Sequence, residues 1–109
     1  MRTMWDYSDA MGKALDLVGY DVEATDGSIG KIDEASNEAG SAYLVVDTGF
    51  WIFGKKRMIP AGVVQRVDEN EHKVFVTLTK DDIKAAPDFK DQDRVSREPY
   101  DTYYEPFNH

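Results

Sequence analysis

The sequence predicts a mainly β domain, a small antiparallel barrel or sandwich of about six short strands. Two observations predict it. Short apolar stretches recur along the chain, separated by tight-turn signals roughly every ten residues. Strand-like stretches never alternate with long helical patterns, which argues against a parallel α/β fold.

The first hairpin is the clearest element. Apolar and acidic side chains alternate over a first strand, 20–24, with the period of two that a half-buried strand requires. Asp26-Gly27 is typical of a tight turn because glycine tolerates positive φ. A second strand is predicted over 29–36, and Gly30 inside it indicates a bulge or sharp bend of the kind that closes small barrels.

Four further strands are predicted. The third, 42–48, is an apolar run without clean alternation, which indicates burial on both faces. The remaining three are predicted at 55–59, 63–67 and 73–78. Pro60 ends the fourth strand because proline has no backbone N–H to donate to a neighbour.

Two short helices are expected beside the strands. Residues 8–15 can form one, with Ser8 as its N-cap. Thr79 is a suitable N-cap for the second, 80–85, whose first turn carries acidic side chains that suit the helix dipole. Pro87 ends this helix.

The C-terminal tail, 88–109, has a different character. Charged residues crowd its first part, and four large aromatic residues follow at helical spacing: Tyr100, Tyr103, Tyr104 and Phe107. Pro106 would break a helix there, so we expect an irregular segment docked on its own barrel or on a neighbouring subunit. The preceding charges make a disordered tail the alternative.

These boundaries divide the 109 residues into three parts. Residues 1–16 are an N-terminal extension, residues 17–87 form the barrel domain, and residues 88–109 form the tail. The length fits a single domain with short extensions.

An ordered set of short motifs fills residues 17–87. In chain order they are Val18-Gly19-Tyr20-Asp21-Val22, Asp26-Gly27-Ser28-Ile29-Gly30-Lys31-Ile32, Tyr43-Leu44-Val45-Val46-Asp47, Ile59-Pro60, Val63-Val64, Thr79-Lys80-Asp81 and Ala86-Pro87. Their order and spacing resemble the PRC-barrel family. That family includes the cytoplasmic barrel of the photosynthetic reaction-centre H subunit and resembles the C-terminal domain of the bacterial ribosome maturation factor. The resemblance implies a PRC-type β-barrel, and 49–56 resembles the version in stand-alone bacterial members, often actinobacterial.

The resemblance implies a module that holds other macromolecules in place, not a catalyst. Several small stand-alone members look like homodimers, so we expect a self-associating adaptor, with a further protein partner of unknown identity as a possibility. The family brings no catalytic, metal-binding or cofactor-binding residue to carry over. No enzyme activity, metal or cofactor is therefore expected.

Composition narrows the classes of partner. The net charge is −8 and the sequence pI is about 4.6, so an acidic surface disfavours nucleic acid. The chain has no cysteine, which excludes disulfides and thiolate metal sites and is compatible with a reducing compartment. No apolar run reaches the roughly 20 residues of a membrane helix. We expect a cytoplasmic protein without membrane insertion.

The candidate interaction residues fall in two places. The first is an aromatic loop followed by basic residues: Phe50, Trp51, Ile52, Phe53, Lys55, Lys56 and Arg57. Exposed aromatic side chains anchor interfaces, but these residues can equally plug the barrel end or pack under the tail. The second place is the set of four tail aromatics, which poses the same choice. The favoured interpretation of the basic triplet is a solvated strand end whose stems cover apolar surface.

Two alternative functions stay open. The basic triplet beside aromatic residues suits RNA or ribosome-associated binding, by analogy with the maturation factor. A structural role near an electron-transfer complex follows from the analogy with the H subunit. The acidic turn 68–72 is interpreted as solvated surface, because it lacks the glycine and the spacing of a calcium-binding loop.

Overall fold

The computed structural model describes residues 16–36, 42–49, 56–90, 96 and 98–107. These ranges hold six strands: β1 (Asp21–Ala24), β2 (Gly27–Ser36), β3 (Tyr43–Asp47), β4 (Lys56–Pro60), β5 (Val64–Asp68) and β6 (Lys73–Val76). Two short α-helices are α1 (Lys80–Lys84) and α2 (Glu98–Tyr104), and 3-10 turns lie at Ala61–Val63 and Glu105–Phe107. The prediction of a mainly β fold is confirmed. The helix predicted at 8–15 lies outside the described residues.

The six strands form one mixed sheet in the order β4-β3-β2-β1-β6-β5. Four of its pairings are antiparallel, whereas β1 and β6 run parallel. The prediction of an antiparallel barrel is therefore wrong in two respects: one pairing is parallel, and within the described residues no ladder joins β4 to β5. The physical reason for the second is that the outer side of β4 takes its hydrogen bonds from the C-terminal tail, as described below.

The sheet nevertheless curls strongly. Its two edge strands are consecutive in the chain, and only Ala61–Val63 separates the end of β4 from the start of β5. Four steps of extended chain span at most about 14 Å. One end of β4 therefore lies close to one end of β5, on opposite edges of the same sheet.

Gly30 allows the sharp bend that was predicted in β2. The β1–β2 register shifts beside it, since Val22 pairs with Gly30 but the next residue pairs with Ser28. Gly30 has φ +146°, and a Cβ atom there would lie 2.1 Å from the carbonyl oxygen of Asp47. Only glycine permits β2 to approach β3 this closely.

The core lies between the curled sheet and the short helices. Residues 43–46 of β3 are all buried, which confirms the predicted burial of this strand on both faces. Met58 and Ile59 of β4 are also fully buried. Ile83 of α1 and two tyrosines of α2 belong to the same apolar cluster. The tail is therefore packed into the core of the domain.

Helix α1 begins as the sequence predicts. The Thr79 hydroxyl accepts a hydrogen bond from the backbone N–H of Asp82 at 3.1 Å, and the Asp82 carboxylate accepts one from the N–H of Thr79 at 2.9 Å. This reciprocal capping box satisfies two backbone donors. Asp26, in the β1–β2 turn, accepts a third bond from the N–H of Lys80 at 2.8 Å. The turn thereby fixes the helix against the first hairpin.

The tail docks on its own domain, but it is not irregular as expected. Residues 98–104 form helix α2, and a 3-10 turn carrying Pro106 follows. Pro99 lies in the first turn, where a missing N–H costs no intrahelical bond. The helical spacing of the aromatics therefore predicted this segment better than the proline did, because Pro106 lies just beyond the end of α2.

Candidate functional site

The structure places the predicted interaction residues in different situations. The aromatic loop and the first basic residue lie outside the described residues: Phe50, Trp51, Ile52, Phe53 and Lys55. The Lys56 Nζ donates to the carboxylate of Asp33 at 2.6 Å, and both side chains are nearly half exposed. This is a surface ion pair between β4 and β2.

Arg57 is turned into the fold. Its Nε donates to the Ile83 carbonyl at 3.1 Å and its Nη2 to the Lys84 carbonyl at 3.2 Å. Its Nη1 donates to the Asp88 carboxylate at 2.7 Å and, more weakly, to the Lys56 carbonyl at 3.3 Å. Only 4% of the residue is exposed. The guanidinium thus fastens the end of α1 and the start of the tail to β4.

Three tail tyrosines donate their hydroxyl hydrogens to backbone carbonyls. Tyr100 bonds to Pro87 at 2.6 Å, and Tyr103 bonds to Asp82 in α1. Tyr104 bonds to Met58 of β4 at 3.0 Å. Each bond spans a long stretch of sequence, so the three together hold α2 against both α1 and β4.

The aromatic rings of the tail also pack on one another. Tyr103 meets Tyr104 edge to face at 5.0 Å between ring centroids, and Phe107 lies 5.8 Å and 6.0 Å from the same two rings. Tyr100 stacks on Tyr104 at 6.1 Å. Such edge-to-face and offset arrangements are favourable for aromatic pairs. The four predicted tail aromatics are therefore brought together, as one cluster within the chain.

Burial favours the protonated form of the Tyr103 and Tyr104 hydroxyls. Desolvation raises the pKa of Tyr104 well above its ordinary value, and the neighbouring tyrosines raise it further. Desolvation also raises the pKa of Tyr103, helped by the negative charge of Asp82 and opposed by Arg57. A protonated hydroxyl is the form that donates to a carbonyl, so the shift and the hydrogen bonds agree in direction.

The outer side of β4 is covered by the tail. Pro60 has no N–H, and the carbonyls of Lys56 and Met58 lie two residues apart on the side of the strand that faces away from β3. Lys56 accepts from the N–H of Phe89 at 3.0 Å, and Met58 accepts from the Tyr104 hydroxyl. Covering an edge in this way is a recognised means of preventing unwanted strand pairing.

The outer side of β5 is different. Gln65 and Arg66 are exposed, and Val67 and Asp68 are only partly buried. The Arg66 guanidinium lies 3.8 Å from the centroid of the Phe75 ring, on the outer face of the sheet. No hydrogen bond from a described residue reaches the outer side of this strand.

The acidic turn after β5 is exposed, as predicted. Residues 69–72 lie at the surface, and the Asp68 carboxylate accepts from the N–H of Glu71 at 3.0 Å. The ring of His72 packs edge to face on Tyr20 at 5.0 Å. No three of the described histidine, aspartate and glutamate residues cluster closely enough to hold a metal ion.

Sequence reasoning missed the structural role of Arg57 and the exposed edge of β5. A signal for Arg57 was present: it directly precedes the apolar pair Met58-Ile59 in a predicted strand, and an arginine that such a strand buries requires a partner. The β5 edge had no local signal, because strand order depends on contacts distant in sequence.

Comparison of the chain with protein-family models and with curated proteins finds no match. Within the described ranges, no helix has the length and apolar composition needed to cross a lipid bilayer.

Proposed function

We propose that this protein is a non-enzymatic protein-binding domain of the PRC-barrel type that self-associates. The observation that carries the proposal is the difference between the two edges of the sheet. The chain uses its own tail to cover β4, whereas the described residues leave the outer side of β5 open to a strand from another molecule.

The strand positions agree with the sequence pattern on which the proposed family relation rests. The described strands begin and end within a few residues of those predicted from local sequence, and the Thr79 cap opens the helix at the predicted place. The three-residue link between the edge strands adds the curl of a barrel-like sheet. The short helices pack on this curled sheet and join its apolar core, which supports the sheet that carries the binding edge.

The buried polar groups support a scaffold role. Arg57 joins β4 to α1, and Tyr104 joins α2 to β4, through hydrogen bonds. These side chains act on the fold itself, and their effect is to keep the tail and α1 fixed. Binding domains of this kind pay little conformational entropy on association because the surface is already ordered.

Protein binding is favoured over RNA binding by the placement of the basic residues. RNA contact relied on Lys55, Lys56 and Arg57 together. The Arg57 guanidinium is occupied by three carbonyls and a carboxylate, and Lys56 is paired with Asp33. The net charge of −8 adds repulsion from phosphate.

Sedimentation equilibrium over a wide concentration range tests this function. We expect the mass to rise from that of one chain, 12.4 kDa, to twice that value as concentration increases. A single species of 12.4 kDa at the highest concentration reached would contradict self-association.

A further inference from the structure

The bonding directions along β6 determine which groups of β5 face outward. On the side of the parallel partner β1, the N–H groups of Asp21 and Thr25 donate hydrogen bonds to the carbonyls of His72 and Leu78. Backbone groups alternate in direction along a strand. The even-numbered residues of β6 therefore direct their backbone N–H and C=O groups toward β1. The odd-numbered residues, including Phe75, direct theirs toward β5.

The register between β5 and β6 then singles out Val67. Lys73 pairs with Asp68 and Phe75 pairs with Arg66, so those two β5 residues direct their backbone groups toward β6. Val67 lies between them and directs its N–H and C=O to the outer side. A bulge between Val64 and Arg66 interrupts the β5–β6 ladder before Arg66, and residues 66–68 pair regularly with β6.

An outward N–H and C=O on one residue suit a symmetric partner. When two antiparallel copies of β5 meet with Val67 opposite Val67, each valine donates its N–H to the carbonyl of the other. The adjacent pair in that register is Arg66 opposite Asp68, twice, by symmetry. This pair is of the non-hydrogen-bonded type, in which side chains approach most closely.

Charge distinguishes this register from its neighbours. Centring the pair on Arg66 would set two arginines opposite each other, which is destabilising. The N–H and C=O of Val67 would then not meet those of Val67 in the second copy. Centring it on Val67 sets a positive side chain opposite a negative one on both sides. The Arg66 side chain lies on the outer face of the sheet, and its guanidinium exchanges the Phe75 ring for the carboxylate of Asp68 in the second copy.

We propose that two copies of this protein associate by pairing β5 with β5, antiparallel, about a twofold axis at Val67. This interface rests on the self-association proposed above and specifies where it occurs. The inner-facing Val67 side chain continues the apolar cluster toward the partner, and the two Arg66–Asp68 pairs fix the register.

The variant Val67→Pro tests the interface directly. Proline removes the outward N–H and leaves the bonds from β5 to β6 in place, because Val67 contributes none of them. Losing two symmetric hydrogen bonds should weaken the dimer about tenfold or more by sedimentation equilibrium. Thermal unfolding of the variant at low concentration reports whether the monomer stays folded.

A charge-reversal cycle provides a second test, and it leaves the outward N–H of Val67 in place. Arg66→Glu alone and Asp68→Lys alone each place like charges together and should weaken the dimer. The double variant restores opposite charges and should recover most of the wild-type affinity. This recovery tests the interface even if the Val67→Pro variant fails to fold.

The outcomes separate the two proposals. A wild-type dimer that Val67→Pro leaves unchanged, or a double variant no tighter than either single one, overturns the β5 interface and leaves self-association standing. A wild-type monomer at every concentration overturns both. In that result, the bulge and the charges of β5 act to prevent pairing.

Discussion

The β4 edge of the sheet and the β5 edge lie three residues apart in the chain, yet they have different surroundings. Two carbonyls of β4 accept hydrogen bonds from the tail, and the strand is almost completely buried. On β5, the exposed Arg66 and the partly buried Asp68 flank a valine whose backbone groups face outward. Among the described residues the tail contacts the β4 edge and not the β5 edge, which is the edge that the proposal assigns to association.

The cover on β4 depends on a few side chains. Tyr104 fills part of the core and bonds to Met58, while Arg57 holds the start of the tail through Asp88. If these two contacts fail, β4 becomes a second exposed edge. The predictions below weaken the cover on β4 stepwise, and the first has the largest expected effect.

Replacing Tyr104 with alanine should cause the largest loss. The side chain is 1% exposed, so its removal leaves a cavity and an unpaired Met58 carbonyl. We expect the free energy of unfolding to fall by about 3–5 kcal/mol, measured by urea denaturation. The variant should also aggregate through the exposed β4 edge.

Tyr104→Phe isolates the hydroxyl. It keeps the ring and removes only the bond to Met58, for an expected cost of about 1–2 kcal/mol. Tyr20→Phe is the matched control, since no described residue bonds to that hydroxyl, and it should cost less than about 0.5 kcal/mol. Equal effects of the two changes would show that the Met58 bond does not hold the tail.

Arg57→Ala should have the second largest effect, after Tyr104→Ala and ahead of Tyr104→Phe. It leaves the carbonyls at the end of α1 without their donor and removes a buried aliphatic stem, so we expect a loss of about 3 kcal/mol in urea denaturation. Lys56→Ala is the neighbouring control. Its ion pair with Asp33 is nearly half exposed and should contribute less than about 1 kcal/mol. A cost for Arg57→Ala as small as the control would contradict its structural role.

Alkaline pH should loosen the tail gradually. Folding raises the pKa of Tyr104 and of Tyr103 above the ordinary value of 10.0. Above that pH the unfolded chain loses these protons first, so it binds fewer protons than the folded chain and stability falls. Each tyrosine contributes at most about 1.4 kcal/mol per pH unit. The free energy of unfolding, measured from pH 8 to 11, should therefore fall more steeply in the wild type than in Tyr104→Phe. Parallel curves would contradict the raised pKa of Tyr104.

The strands and α1 could be predicted because their signals are local. Alternation marks β1, the apolar run marks β3, and Thr79 with Asp82 marks the start of α1. Gly30 predicted a bend in β2. The structure shows the reason, since only glycine permits the close approach to Asp47. These features need no knowledge of distant partners.

The arrangement of the edges could not be predicted in the same way. The parallel pairing of β1 with β6 depends on how the chain crosses after β4, and the cover on β4 depends on residues some 30 to 46 positions later. The sequence shows that Arg57 and the tail tyrosines are unusual residues. It does not show that they meet at the same edge strand.

Amide hydrogen exchange, resolved at Phe89 and Val67, tests most directly whether the tail covers the β4 edge while β5 pairs with a second copy. The Phe89 amide bonds to Lys56 across the β4 edge, so it should be protected at every protein concentration. The Val67 amide should exchange rapidly when the protein is dilute and slowly when it is concentrated enough to pair. A Val67 amide whose exchange rate does not change with concentration would contradict the account.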